Sequence, residues 1–172
     1  MTTLQTVLTA NTGHWTLAPD RSTVRFRTRT MWGLVPVNGT FTEVSGSGAV
    51  ADNSVTGRVV ISAASVRTGI GKRDEHLRSA DFFDTATHPE ITAEVSGAQP
   101  SGDGALLDLT LTVRGTSRPL RLPVGIEVLG DGGLRVSGRA TLDRRDFGVS
   151  GNMVGMVGSS TDVAADLVFT RG

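Results

Sequence analysis

The chain of 172 residues has no cysteine and no tyrosine, and only two tryptophans and six phenylalanines. The absence of cysteine excludes disulfides, thiolate nucleophiles and every Cys-based zinc pattern. It leaves His14, His76 and His88 as nitrogen ligands, at no recognisable metal spacing. Charge of one sign is not in excess: 17 Lys and Arg balance 17 Asp and Glu. That balance favours neither nucleic acid phosphates nor anionic membranes, and nucleic acid is not an expected partner. No apolar run approaches the roughly 18 residues of a membrane span, so no integral membrane segment is expected. The opening MTTLQTVLTANTG lacks the basic and apolar regions of a signal peptide, which reads as a soluble, cytoplasmic protein.

What is present is period-two alternation between glycines. In ALLDLTLTVRG, Leu107, Leu109, Leu111 and Val113 alternate with Asp108, Thr110, Thr112 and Arg114, which turns one face inward. PLRLPVGIEVLG repeats the pattern with Leu120, Leu122, Val124, Ile126 and Val128. GLRVSGRATLD does so with Leu134, Val136, Gly138, Ala140 and Leu142, and TDVAADLVFT with Val163, Ala165, Leu167 and Phe169. STVRFRTRT sets Val24 and Phe26 against Arg25, Arg27 and Arg29. With HWTLA, VNGTFTEVSGSGAV, GRVVISAASV and EITAEVSG, the total reaches about eight or nine strands, enough for a closed barrel or a sandwich. Residues 1–13 show no period and read as a flexible lead-in, which leaves 14–172 as a single β domain. A barrel of this size is either plugged by its side chains or holds one small ligand. Slim inward candidates, Ala63, Gly138, Ala140 and Ala165, with so few aromatics, predict an apolar cavity.

One segment breaks the alternation. KRDEHLRSADFFD, Lys72 to Asp84, predicts a short helical insertion over about residues 72–83, ending before Pro89 restricts His88. Its Arg73, Asp74, His76, Arg78 and Asp81 read in two ways: a polar rim for a ligand head group, or a network pinning the insertion to the sheet, since charges taken out of water must be paired. His76 near Asp74 suits an oriented base, but no nucleophile stands in register, so no catalytic residue and no metal site is expected. GNMVGMVG lacks the Lys-Ser/Thr of a phosphate loop.

The run KRDEHLRSADFFDTATHPEI, following VRTG, resembles the signature of the YceI-like family, R-D-x-H-L-[RK]-S-x-D-F-F. WTLAPDRSTVRFRTRTMWGLVPVNGTFTEVSGSG is similar to that family's opening, LTLTVRGTSRPLRLPV to its L-T-[IL]-[RH]-G-x-[ST]-[RK]-P-V stretch, and ATLDRRDFGV to its N-R-x-D-F-G ending, with Asp143 where Asn is commoner. The likeness covers roughly residues 14 to 170, in four motifs in the right order. It implies an all-β, eight-stranded antiparallel lipocalin-like barrel whose apolar cavity binds a polyisoprenoid, an isoprenoid quinone or a fatty-acid derivative. It also implies no enzyme activity, no cofactor beyond such a bound lipid, and compatibility with a homodimer. Relatives often carry a signal peptide, and an acidic residue soon after Val-Gly where this chain has Ser159 and Ser160; both are departures.

The ligand-binding set expected on these grounds joins barrel-wall residues Val24, Phe26, Phe41, Leu109, Leu111, Leu122, Val124, Leu142 and Phe147 with the insertion. The insertion supplies Arg73, Asp74, His76, Leu77, Phe82 and Phe83, with only one of the two adjacent phenylalanines expected to face the cavity. Trp32, Met153 and Met156, near Met31 in the two least regular segments, complete the set, since Met adapts to a floppy chain. Two alternatives stand beside lipid binding: an enzyme acting on a hydrophobic substrate at the mouth, with Asp74 and His76, and a non-liganded stress-associated structural protein.

Overall fold

A computed structural model of the chain describes residues 4–28, 37–51, 54–149 and 160–172. Trp32, Met153 and Met156, with Met31, lie outside the described residues.

Alternating Val, Leu, Thr and Gly give eleven strand segments: β1 Gly13–Leu17, β2 Thr23–Thr28, β3 Val37–Phe41, β4 Val44–Ala51, β5 Ser54–Ser62, β6 Val66–Arg67, β7 Glu90–Ser101, β8 Gly104–Val113, β9 Thr116–Val128, β10 Leu134–Asp143 and β11 Ser160–Arg171. All pairings are antiparallel. They occupy eight positions around a closed wall, because β1 with β2, β3 with β4, and β5 with β6 are each one course of chain interrupted by a bend. The ring closes where Trp15 to Leu17 on β1 meet Arg171 to Phe169 on β11, which removes the open edges of a flat sheet.

The interruptions have local causes. Pro19 opens a single helical turn, Pro19–Arg21, between β1 and β2. Ser22 repairs the break: its hydroxyl donates to the Ala18 carbonyl at 2.8 Å and accepts from the Val168 N–H at 3.0 Å. Between β3 and β4, the Glu43 N–H donates to Ser65 Oγ at 3.1 Å and the Thr42 N–H to the Ser65 carbonyl. The single strand expected over VNGTFTEVSGSGAV is therefore two. β8 and β9 join through Arg114 and Gly115, at φ of 50° and 74°, the left-handed pair that suits a two-residue hairpin. A Cβ at Gly115 would also stand 2.9 Å from the His88 ring.

Two helices flank the wall. The insertion begins as helix α2, Gly71–Arg78. At the other end of the lumen, where a flexible lead-in is expected over 1–13, the structure has helix α1, Leu4–Ala10. Its Leu4, Val7 and Leu8, spaced i, i+3, i+4, are buried against Ala105 and Val124 on one side and Trp15 and Leu134 on the other. Three apolar residues are too few to register as a period, yet they suffice once a barrel end offers them a surface. Asn11 Nδ2 donates to the Val7 carbonyl at 2.8 Å and Trp15 Nε1 to the Asn11 carbonyl at 2.8 Å, tying the helix to β1.

Candidate functional site

The inward residues of eight strand positions do not fill the barrel. They leave two apolar cavities, of about 150 Å³ toward α2 and about 140 Å³ toward α1. All six phenylalanines of the chain line one or the other: Phe26, Phe41, Phe82, Phe83 and Phe147 the first, Phe169 the second. Phe26, Phe41 and Phe83 form an aromatic chain with ring centroids 5.5 and 5.8 Å apart.

Val24, Phe26, Phe41, Leu77, Phe82, Phe83, Leu111, Leu142 and Phe147 all stand on the wall of the α2-end cavity. Both Phe82 and Phe83 face it, not one, because the chain past α2 is folded back on itself: the Phe82 N–H donates to the Ser79 carbonyl and the Phe83 N–H to the Leu77 carbonyl at 2.9 Å. Adjacent residues diverge in extended chain, and this chain is not extended. Leu122 and Val124 are elsewhere, packed with Leu4, Leu8 and Ala105 below α1. Leu109, with Leu17 and Val44, is buried but borders neither cavity. By alternation Leu109 lies on β8 at the level between Leu107, on the α1-end cavity, and Leu111, on the α2-end cavity, and so stands in the floor between the two.

The charged cluster is committed to the backbone around it. Asp74, buried, accepts from the Thr68 N–H at 2.9 Å and from the Thr68 hydroxyl. Arg73 Nε donates to Thr68 Oγ1 at 2.8 Å and its Nη2 to the Thr68 carbonyl at 2.9 Å. Arg78 reaches the Ala64 carbonyl at 3.0 Å. His76 Nε2 sits 3.0 Å from Asp81 Oδ2, with its ring edge-on to Phe82. None of Arg73, Asp74 and His76 borders the cavity. The insertion is latched from the opposite side by Arg114, whose Nη1 donates to the Phe82 carbonyl at 2.9 Å and the Gly148 carbonyl at 3.2 Å. The pinning network is thus what the geometry shows, with Leu77, Phe82 and Phe83 as the apolar underside of the insertion.

Polar groups on the cavity wall come from residues that sequence reasoning missed. Among the described residues, half-buried Arg144 is the one charged side chain on the wall of the α2-end cavity. Its Nη1 donates to the Val149 carbonyl at 2.6 Å, its guanidinium lies 5.8 Å from the Phe82 ring centroid, and burial draws its pKa below the ordinary guanidinium value against the opposing pull of Asp143. Thr28 and Thr161 share a hydroxyl contact at 3.3 Å on the same wall. Ile61, Ile91, Val113, Val149 and Val163 complete it. Arg144 belongs to the DRRDFG stretch, where the residue type gave a family landmark but no direction for the side chain. Among the described residues, no group of three His, Asp or Glu could hold a metal ion, and no helix is long and apolar enough to cross a membrane.

A family model described as the YceI-like domain matches residues 15–169. A Pseudomonas aeruginosa relative described as a UPF0312 protein is 36% identical over 97 residues, 54% of this chain and 51% of the relative. Protein YceI of Escherichia coli O157:H7 is 37% identical over 98 residues, 53% and 50% of the two chains. The chain therefore spans about half the length of the curated relatives it matches. Among solved structures, BcnA of Burkholderia cenocepacia gives a TM-score of 0.81 at 22% identity, covering 90% of this chain and 99% of that one. A polyisoprenoid binding domain from Saccharophagus degradans gives 0.78 at 18% identity, covering 92% and 98%. At these identities the structural likeness establishes a shared barrel fold.

Proposed function

We propose that this chain, which belongs to the YceI-like domain family, binds a small hydrophobic molecule with a long apolar tail inside its barrel. The observation that carries this reading is the pair of apolar cavities stacked along one lumen, walled by every phenylalanine the chain has. A cavity of about 150 Å³ lined by Leu, Ile and Phe stays dry and accepts a body the size of benzene. Each cavity is therefore matched to about one isoprene unit or a comparable piece of acyl chain. A tail that occupies both must pass the floor at Leu109. Transfer from water contributes about 0.8 kcal/mol per buried methylene, offset by ordering of the flexible tail.

Among the described residues, Arg144 and the Thr28–Thr161 pair supply the polar side chains beside the α2-end cavity, so a ligand with one oxygen-bearing end fits better than a plain hydrocarbon. The similar Saccharophagus degradans structure, described as a polyisoprenoid binding domain, supports an isoprenoid as the tail chemistry. Native mass spectrometry of protein purified from cells, with organic extraction of the bound material, tests the reading. A co-purifying lipid, or saturable binding of graded isoprenoid alcohols, is the expected result. Protein that carries no lipid and takes up no member of the series would remove the proposal.

A further inference from the structure

The arginines of the barrel's outer surface are mostly engaged. Arg58 faces Glu94, Arg121 holds Asp108, Arg21 meets Asp131 and Arg135 lies against Asp166. Arg25, Arg27, Arg67 and Arg139 differ. All four are exposed, none has a hydrogen-bond or ion-pair partner among the described residues, and all line one open groove on the outer face.

Strand register explains why they meet. Arg67 pairs across to Thr40, Thr40 to Arg25, Arg25 to Ala164 and Ala164 to Arg139, so three arginines fall in one transverse row over β6, β3, β2, β11 and β10. With strands spaced about 4.8 Å apart, that row runs about 19 Å along the curved wall. Arg27 stands in the next row, between Asn38 and Asp162. Asp162 is the groove's one carboxylate among the described residues, and its Oδ1 already accepts from the Thr141 hydroxyl at 2.8 Å. The segments adjoining the groove in sequence, 29–36 and 150–159, contain no Asp or Glu. A chain that is neutral overall therefore carries a strongly positive face.

We propose that this face docks on an anionic lipid bilayer. A guanidinium keeps its charge at every physiological pH and its fork matches phosphate oxygens. A row of this length is wider than one phosphate and meets several of them at once. No aromatic side chain occupies the outward positions of the two rows, so the stacking platforms of single-stranded nucleic acid recognition are missing there. Docking would bring the barrel to the phase in which a greasy ligand resides. That purpose rests on the lumen reading above, whereas the docking itself depends only on headgroup charge.

The test is co-sedimentation of the full chain with vesicles of phosphatidylglycerol and phosphatidylcholine, compared with phosphatidylcholine alone. Binding to the anionic vesicles is expected, weakening as salt is added. Arg25→Gln and Arg139→Gln should each lower the partition about fivefold. Arg121→Gln, whose guanidinium is already held by Asp108, should leave it unchanged, and circular dichroism checks that each variant is folded. Equal partition into phosphatidylcholine would mean that tails entering the lumen, not headgroups, drive association, and would overturn the proposal. Vesicle binding unmoved by the two variants, or a preference for an oligonucleotide over the anionic vesicles, would overturn it too. The lumen reading stands or falls separately, on isoprenoid alcohols in the absence of membranes.

Discussion

Gly39 faces the lumen directly across from Phe26, and a Cβ there would collide with the end of the Phe26 ring. The missing side chain is the space the aromatic occupies. Gly39→Ala should therefore push Phe26 off the cavity wall and cost about 1–3 kcal/mol, read as a lower urea midpoint with an unchanged slope. Asp74 is the second residue whose role is now specific. Asp74→Ala leaves the half-buried Thr68 N–H unpaired and should cost about 1–3 kcal/mol. If amide exchange across residues 71–78 were as slow in that variant as in the parent, the clasp would not be what holds α2. At the surface, Arg145 holds the Asp143 carboxyl down at about 2 by side-chain hydrogen bonds, from an ordinary 3.8. A depressed carboxylate contributes stability that is complete above the ordinary value and is lost as pH falls through the folded one. The pair should thus weaken between 3.8 and about 2, and Asp143→Asn should remove that part of the acid unfolding curve.

At the scale of elements, the two ends of the barrel are closed by different means. The α2 insertion is held by charged side chains donating to backbone carbonyls, and Arg114 makes two of those bonds at once. Arg114→Ala should speed amide exchange in residues 79–85 far more than in β8, on which Arg114 borders. Helix α1 is held by apolar contact, with Leu8 buried over the α1-end cavity beside Trp15. Leu8→Asp should release the helix and red-shift the emission of Trp15, measured with Trp32→Phe in the background so that a single indole reports. Emission that stays blue would show that Trp15 is shielded by the barrel alone.

For the whole molecule, the division of the lumen makes a prediction about length. Affinity for isoprenoid alcohols should rise as the tail fills the first cavity and change slope where it must cross the floor. Leu109→Ala removes part of that floor. It should cost about 2–5 kcal/mol of stability, as core truncations do, while extending the rise in affinity to longer tails. Loss of affinity for all lengths alike, measured by titration calorimetry, would argue against a tail that spans both cavities.

Much of this was legible in the chain itself. Alternation along ALLDLTLTVRG and its repeats fixes which residues face inward, because the period of a strand is two and a closed sheet buries one face. Val24, Phe26, Phe41, Leu111 and Leu142 stand on the α2-end cavity for that reason. The signature at KRDEHLRSADFF identified the family, which the match over 15–169 shows. Alternation gives a face but not a height along the barrel axis, so it could not separate Leu111, on the cavity, from Leu109 in the floor or Leu122 under α1. Nor could it foresee that Leu122 and Val124 would pack into the gap at Gly138, where a Cβ would meet them at 3.3 and 3.0 Å. Slim residues in the chain signalled open space, and the neighbours decided how much of it to fill. Composition likewise fixed a net charge of zero, while only the registers of β6, β3, β2, β11 and β10 gathered four unpaired arginines on one face. Sums and periods are properties of the chain; distances between side chains far apart in sequence are set when strands pair and close.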